Sequence, residues 1–430
     1  MLWKLFKKSA ANRTAPAASD KTGNNALLPL AFLQKLIPIG EMPVEQLRAL
    51  NVTQRNFNPG EIVFTRGDQA DSLPYLQDGE VFLEMGNGAG YSVDASTFKA
   101  CYPLSTGSEH KFTAFAKTSA KVIFLPLHTL QHSQAQIDNP LINSGDEPEE
   151  LRGSAFFNGV CAAYRKDELR VPSLPDVALR LRSALQKEIG IADAVKIINL
   201  DPVISSKLIQ VVNSPLYRTL NPAASSFDAV NRLGLKTTQN LATSISLNNL
   251  FKSADKRLHE KIRGVWKQSI HVASLSYVLA VISGRLNADE ALLAGLIHNI
   301  GCLPVITFAE NFDKNAYSEQ ELDQTITVLQ SLLGVSMLKK WHFPVNLQQI
   351  PIQITNWYYD DGNTLQLNDI VLLAKFHSQL GTVQMQKLPP LNTLPAYHKL
   401  GDAALTPDMS LKALHDAKQQ IAEALNFFRT

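Results

Sequence analysis

A chain of 430 residues with 45% hydrophobic and 19% charged side chains has material for more than one buried core, and its length suggests two or three domains. Lys and Arg number 41 against 39 Asp and Glu, a formal net charge of +2, which excludes the broad positive field that nucleic-acid binding draws on. The three cysteines, Cys101, Cys161 and Cys302, lie far apart and without a CxxC spacing; they exclude a disulfide framework or a zinc knuckle and point to a reducing, cytoplasmic setting.

The chain opens on "MLWKLFKKS", in which Leu2, Trp3, Leu5 and Phe6 fall opposite Lys4, Lys7 and Lys8 on a helical wheel. That is a small basic amphipath, and Met1–Lys8 is a candidate for weak contact with the inner membrane surface or with a partner groove; a frayed terminus is the plainer reading. No apolar h-region or cleavage site follows, so it is not a signal peptide. Residues 1–26 as a whole read as a flexible basic tail, because "SAANRTAPAASDKTGNNA" has too little apolar content to fold. No later stretch approaches the roughly 20 apolar residues that span a bilayer, Leu275 to Ile282 being the best and too short.

Residues 27–135 form the first expected domain. One or two short helices are expected between Leu27 and Leu50, and from Asn58 the texture turns to short β-like runs. "NPGEIVFTRGD" gives a turn, a strand and a turn. "LPYLQDGEVFLEMGNG" gives two alternating strands joined at Asp78-Gly79, and "AFAKTSAKVIFLPL" closes the region with a β-rich run. This arrangement resembles the cyclic-nucleotide-binding domain, and the resemblance implies a β-barrel of jelly-roll type with flanking helices. In that family backbone N–H groups of a short helix and a following Arg hold the cyclic phosphate, while a Glu beside a Gly on that helix binds the ribose. The matching positions here fall at Lys99, Ala100 and His110, all changed. Without the bidentate Arg fork, the barrel is expected to lack ordinary cyclic-nucleotide affinity.

Residues 136–165 read as a linker with a connecting helix near Ala155 to Lys166. From there to residue 430 the pattern is helical: "VPSLPDVALRLRSALQ", "ADAVKIINLDPVISSKLIQVVNSPLY", "SSFDAVNRLGLKTTQNLATSISLNNLF", "VWKQSIHVASLSYVLAVI", "DEALLAGLIHNIGCLPVI" and a closing "SLKALHDAKQQIAEALNFF". These motifs, in this order over about residues 171–377, resemble the HDOD family, the HD-related output domain of bacterial signalling proteins. The whole chain is thus expected to be a multidomain α+β protein, a degenerate sensor barrel followed by an all-α HDOD domain.

In metal-dependent HD phosphohydrolases two histidines, a His-Asp pair and a distant Asp hold divalent cations that activate water. Laid on this chain, the resemblance puts Gln268 at the first histidine, His298-Asn299 at the pair and Lys375 at the distant Asp. One imidazole without carboxylates is a poor cation site. His271 and the helix-start acids Asp289 and Glu290 do not complete it, and Cys302 reads as a core thiol. Further on, Trp341 and Pro344 fit the family's later turn, and Trp357, Tyr358 and Tyr359 form a candidate aromatic contact patch.

The expectation is a non-catalytic signalling protein without cofactor or metal, acting through contacts with other signalling proteins. Two alternatives stand beside it: a receptor for a cyclic mono- or dinucleotide or another small anion, and a divergent metal-dependent phosphohydrolase.

Overall fold

The computed structural model describes residues 24–25, 28–86, 88, 90–129, 148–214, 217, 221–401, 411–417, 419 and 421–422. The amphipath Met1–Lys8, nearly all of the tail, residues 130–147 with the first part of the linker, and much of the closing helix lie outside the described residues. The chain divides into two compact units, residues 1–129 and 130–430.

Among its described residues the first unit contains eight strands: β1 (Asn24–Asn25), β2 (Thr53–Phe57), β3 (Ile62–Phe64), β4 (Ser72–Asp78), β5 (Glu80–Glu84), β6 (Gly90–Asp94), β7 (Thr113–Ala116) and β8 (Ala120–Pro126). They pair antiparallel in two four-stranded sheets, ordered β1-β2-β8-β4 and β3-β7-β5-β6. Period-two alternation puts Val81, Leu83, Val93, Ala114 and Ala116 on one buried face of one sheet and Leu73, Tyr75, Ile123 and Leu125 on one buried face of the other. Short helices Leu30–Leu33 and Val44–Arg48 flank the sheets, and the Tyr75 hydroxyl donates to Ile37 O at 3.1 Å.

The Asp78-Gly79 turn is not the hairpin its dipeptide suggests. β4 pairs with β8 while β5 pairs with β6 and β7, so the chain crosses there from one sheet to the other. Gly79 has φ of 82°, and a Cβ on it would stand 2.2 Å from Ser119 O; conformation and close approach both require glycine.

The second unit is helical. Its longer helices are α1 (Ala155–Arg165), α2 (Asp176–Leu185), α3 (Ile191–Ile198), α4 (Pro202–Val212), α5 (Ser226–Leu247), α6 (Lys256–Ser283), α7 (Ala288–Ile297), α8 (Cys302–Glu310), α9 (Glu319–Lys340) and α10 (Leu367–Ser378). The run "ADAVKIINLDPVISSKLIQVVNSPLY" is two helices rather than one, because Asp201 caps α4 through Val203 N and Ile204 N and Pro202 takes its first position. Capping boxes at Ser225/Asp228 and Ser318/Glu321 start α5 and α9.

Helix α1 corrects the expected division at residue 165. It is no connector, since Phe156 and Phe157 are buried and the Phe156 ring stacks on Tyr317 at 4.5 Å and meets Phe312 at 5.5 Å and Phe308 at 5.8 Å. Those aromatics belong to the helical core, and so does α1.

A second correction concerns apolar length. Helix α6 and the run Ala288–Glu310 are long and apolar enough to cross a membrane by composition alone. In the fold, 67% and 89% of their apolar windows are buried inside the protein, and the second run breaks between α7 and α8.

Candidate functional site

From Ala291 on, helix α7 is apolar on every side, and α5, α6 and α10 all pack on it. Gly295 lets α6 in close: a Cβ there would lie 2.5 Å from Ala273 Cα. The break after α7 is pressed against α9, where a Cβ on Gly301 would fall 1.8 Å from Gln330 O and 2.4 Å from Gly334 N. These two contacts fix the turn carrying His298 and Asn299.

His298 is 5% exposed. Its Nδ1 lies 2.7 Å from Gly295 O, and since a carbonyl can only accept, Nδ1 bears the proton and Nε2 keeps the lone pair. Burial pushes its pKa down to about 4, against the pull of that carbonyl, and the Lys375 charge lowers it further. The Ser269 hydroxyl donates to Asn299 Oδ1 at 2.8 Å and stands 2.9 Å from Val265 O.

Lys375, on α10, donates from Nζ to Ile354 O at 2.9 Å and lies 5.0 Å from the centre of the Trp357 ring. Burial pushes its ammonium down to about 8. Gln268 is not brought into this group: it is exposed, while Ser269 is fully buried and reaches Asn299. A helix turns about 100° per residue, so the position that faces the turn is one beyond the one read from the motif. His271 is half-buried, with its pKa lowered by burial. Burial pushes the Cys302 thiol up to about 12, leaving it protonated at neutral pH. Among the described residues no three His, Cys, Asp or Glu side chains gather where they could hold a metal ion.

Asp289 proves different from a dipole-favouring surface acid. It is buried in the first turn of α7, takes a hydrogen bond from the Tyr217 hydroxyl, and has its pKa raised by burial. Glu290 meets Asn346 Nδ2 at 3.0 Å.

The aromatic patch is corrected as well. Tyr358 is completely buried, with its hydroxyl 3.1 Å from Thr393 Oγ1, and Trp357 and Tyr359 are only half-exposed. Trp357 meets Phe376 edge-on at 6.0 Å and lies under the Lys375 ammonium, so its ring is spent inside the fold. Sequence reasoning missed the charge cluster beside this patch. Lys399 Nζ lies 3.0 Å from Asp360, 3.0 Å from Asp361 and 3.1 Å from the buried Asp369. Burial holds Asp369 up at about 6 despite its lysine; burial also opposes the Lys399 charge, but the three carboxylates outweigh it and raise its pKa. The "DDGN" turn hinted at the acids, but nothing local marks a lysine 30 residues beyond Asp369.

In the first unit, Lys99 and Ala100 lie on a short 3-10 turn (Phe98–Cys101), Ala100 buried and the Lys99 ammonium 5.8 Å from the Tyr91 ring centre. His110 is buried, stacked on Phe64 at 4.1 Å with Nδ1 2.8 Å from Ser105 Oγ. Burial lowers its pKa against the pull of Asp68 and Asp71. It is a packed side chain rather than a solvated turn cation.

Residues 171–355 match the HDOD domain family. An uncharacterized protein of Treponema pallidum (strain Nichols) is 24% identical over 189 residues, which cover 40% of this chain; the match spans only 35% of the length of that curated relative. The crystal structure of a candidate metal-dependent phosphohydrolase from Shewanella amazonensis SB2B shares 28% identity at a TM-score of 0.55, covering 63% of this chain and 97% of its own. A candidate cyclic-nucleotide-binding protein from Geobacter metallireducens GS-15 covers 34% of this chain and all of its own, at 17% identity and a TM-score of 0.21. The architecture is an N-terminal unit of antiparallel sheets followed by a helical unit in which residues 171–355 match the HDOD domain.

Proposed function

We propose that this signalling protein has no catalytic metal centre and that its helical unit works through contacts with other proteins. The observation that carries the reading is the donor set around His298. A divalent cation there would meet one imidazole nitrogen, an amide oxygen already engaged by Ser269, and the Lys375 ammonium close enough to depress the imidazole. Catalytic cation sites use about three protein donors, and carboxylates among them neutralise the charge; this set offers neither and does not fit the ion. The cationic Lys375 is held by Ile354 O and Trp357 rather than turned to a phosphoester.

The likeness to the candidate metal-dependent phosphohydrolase of Shewanella amazonensis favours a second reading, hydrolysis with altered ligands. One experiment separates the two. Full-length protein purified without chelator is assayed for bound manganese, iron and magnesium, and for hydrolysis of bis-p-nitrophenyl phosphate with added Mn²⁺. The proposal expects substoichiometric metal and no turnover, and specific partner proteins retained by immobilised full-length protein. Stoichiometric metal, with turnover abolished in His298→Ala, would establish the enzyme instead.

A further inference from the structure

A second site lies in the helical unit away from His298. A cleft of about 750 Å³ opens between the C-terminal end of α2, the middle of α5 and the turn after α9, with Arg182, Leu185, Leu235, Lys236 and His342 on its walls. Its volume is in the range of small-molecule sites, roughly 300–1,000 Å³.

Arg182 is its unusual member. The residue is 5% exposed, and its Nε has no hydrogen-bond acceptor among the described residues. Its guanidinium carbon lies over the Phe343 ring, 3.6 Å from the ring centre. Burial alone lowers its pKa, to about 10, so it stays charged at neutral pH, and among the described residues no carboxylate compensates it. Glu188, the acid on the rim, is exposed. A buried cation without a carboxylate partner is destabilising unless something anionic completes it.

The backbone supplies an independent second feature. Gly234 interrupts α5 with φ of 76° and ψ of 165°, a conformation that favours glycine. Residues 235–247 therefore begin a helical segment of their own, and its first turn, bearing Leu235 and Lys236, faces the cleft. The start of a helix presents N–H groups and a partial positive charge to an anion.

We propose that this cleft binds a phosphorylated small molecule of nucleotide size, its phosphate held between Arg182, Lys236 and the start of the 235–247 segment. The fork of Arg182 matches phosphate oxygens. Leu185, Leu235 and Pro344 offer apolar wall to the rest of the molecule, and the volume leaves room for a base and sugar. The site is separate from the His298 turn, so it stands whether or not that turn is catalytic.

The test titrates full-length protein with AMP, inorganic phosphate, adenosine and succinate, by calorimetry and by the fluorescence of Trp341 beside the cleft. The expected result is saturable one-to-one binding of AMP with a Kd on the order of 0.1 mM, weaker phosphate, and no binding of adenosine or succinate. Arg182→Met weakens AMP by about ten-fold or more, as loss of a charge-assisted fork does. Lys236→Met, an exposed position whose change leaves the fold intact, weakens it several-fold. No AMP or phosphate binding at about 10 mM, equal binding of succinate, or AMP affinity unchanged in Lys236→Met and in folded Arg182→Met would each overturn the assignment.

Discussion

Replacing Lys375 with methionine should stabilise the protein at neutral pH and destabilise it at alkaline pH. Burial takes the ammonium from 10.5 to about 8, which at ~1.4 kcal/mol per pH unit is a penalty of at most ~3 kcal/mol on the charged form. Between pH 8 and 10.5 the unfolded chain holds a proton that the folded state has released, so wild-type stability rises with pH across that window. Methionine keeps the stem volume and removes the penalty, but forfeits the bond to Ile354 O, about 1 kcal/mol, and the contact with the Trp357 ring, also about 1 kcal/mol. The balance is a gain of ~1 kcal/mol at pH 7. By pH 10 the wild type has recovered about 2.5 kcal/mol of its penalty, so the variant becomes the weaker by ~1.5 kcal/mol. Urea unfolding followed by far-ultraviolet circular dichroism at pH 7, 8.5 and 10 reads both signs. A variant less stable than wild type at pH 7, or one with the wild-type slope between pH 8 and 10, would refute the account of Lys375 as a buried, incompletely compensated cation.

The buried histidines should make the helical unit acid-sensitive. His298 and His377 are both pushed down to about 4, so each contributes stability that is complete above pH 6.5 and lost as pH falls toward 4, about 3 kcal/mol apiece at most. His298→Leu should remove about half of that acid slope, and an unchanged slope would mean the imidazole is not held neutral. Gly301→Ala drives a methyl group into the Gln330 carbonyl and should cost about 3 kcal/mol, read as a fall in melting temperature of roughly 5 °C; a shift within a degree would show that α8 and α9 separate freely. Lys399→Met strands the buried Asp369 carboxylate and should cost about 3–5 kcal/mol at pH 8, with partial recovery when Asp369→Asn is added; no recovery in the double variant would assign the loss to packing.

Some of this was legible one residue at a time. The "LLAGLIHNIG" run announced a helix buried on all sides, and Asp201-Pro202 carried a helix start in its residue types. The failures share a cause. Trp357-Tyr358-Tyr359 ahead of "DDGN" has the composition of a surface patch, but whether an aromatic faces water depends on what packs over it, here Phe376, Lys375 and Thr393. Asp78-Gly79 has the local conformation of a hairpin turn, yet which strands pair is decided by partners distant in the chain.

By itself the sequence determined the order of the two units, the helical and β periodicities, and the lack of a carboxylate at Asn299 and Lys375, because residue type and spacing fix local conformation and available chemistry. Only the tertiary structure decided that Ser269 rather than Gln268 reaches Asn299, that Lys375 is held by Ile354 and Trp357, and that Arg182 lies buried at a cleft with its Nε lacking an acceptor among the described residues. Each of those depends on burial and on partners brought together from distant positions, and desolvation, the largest influence on the charges involved, is a property of the packed fold.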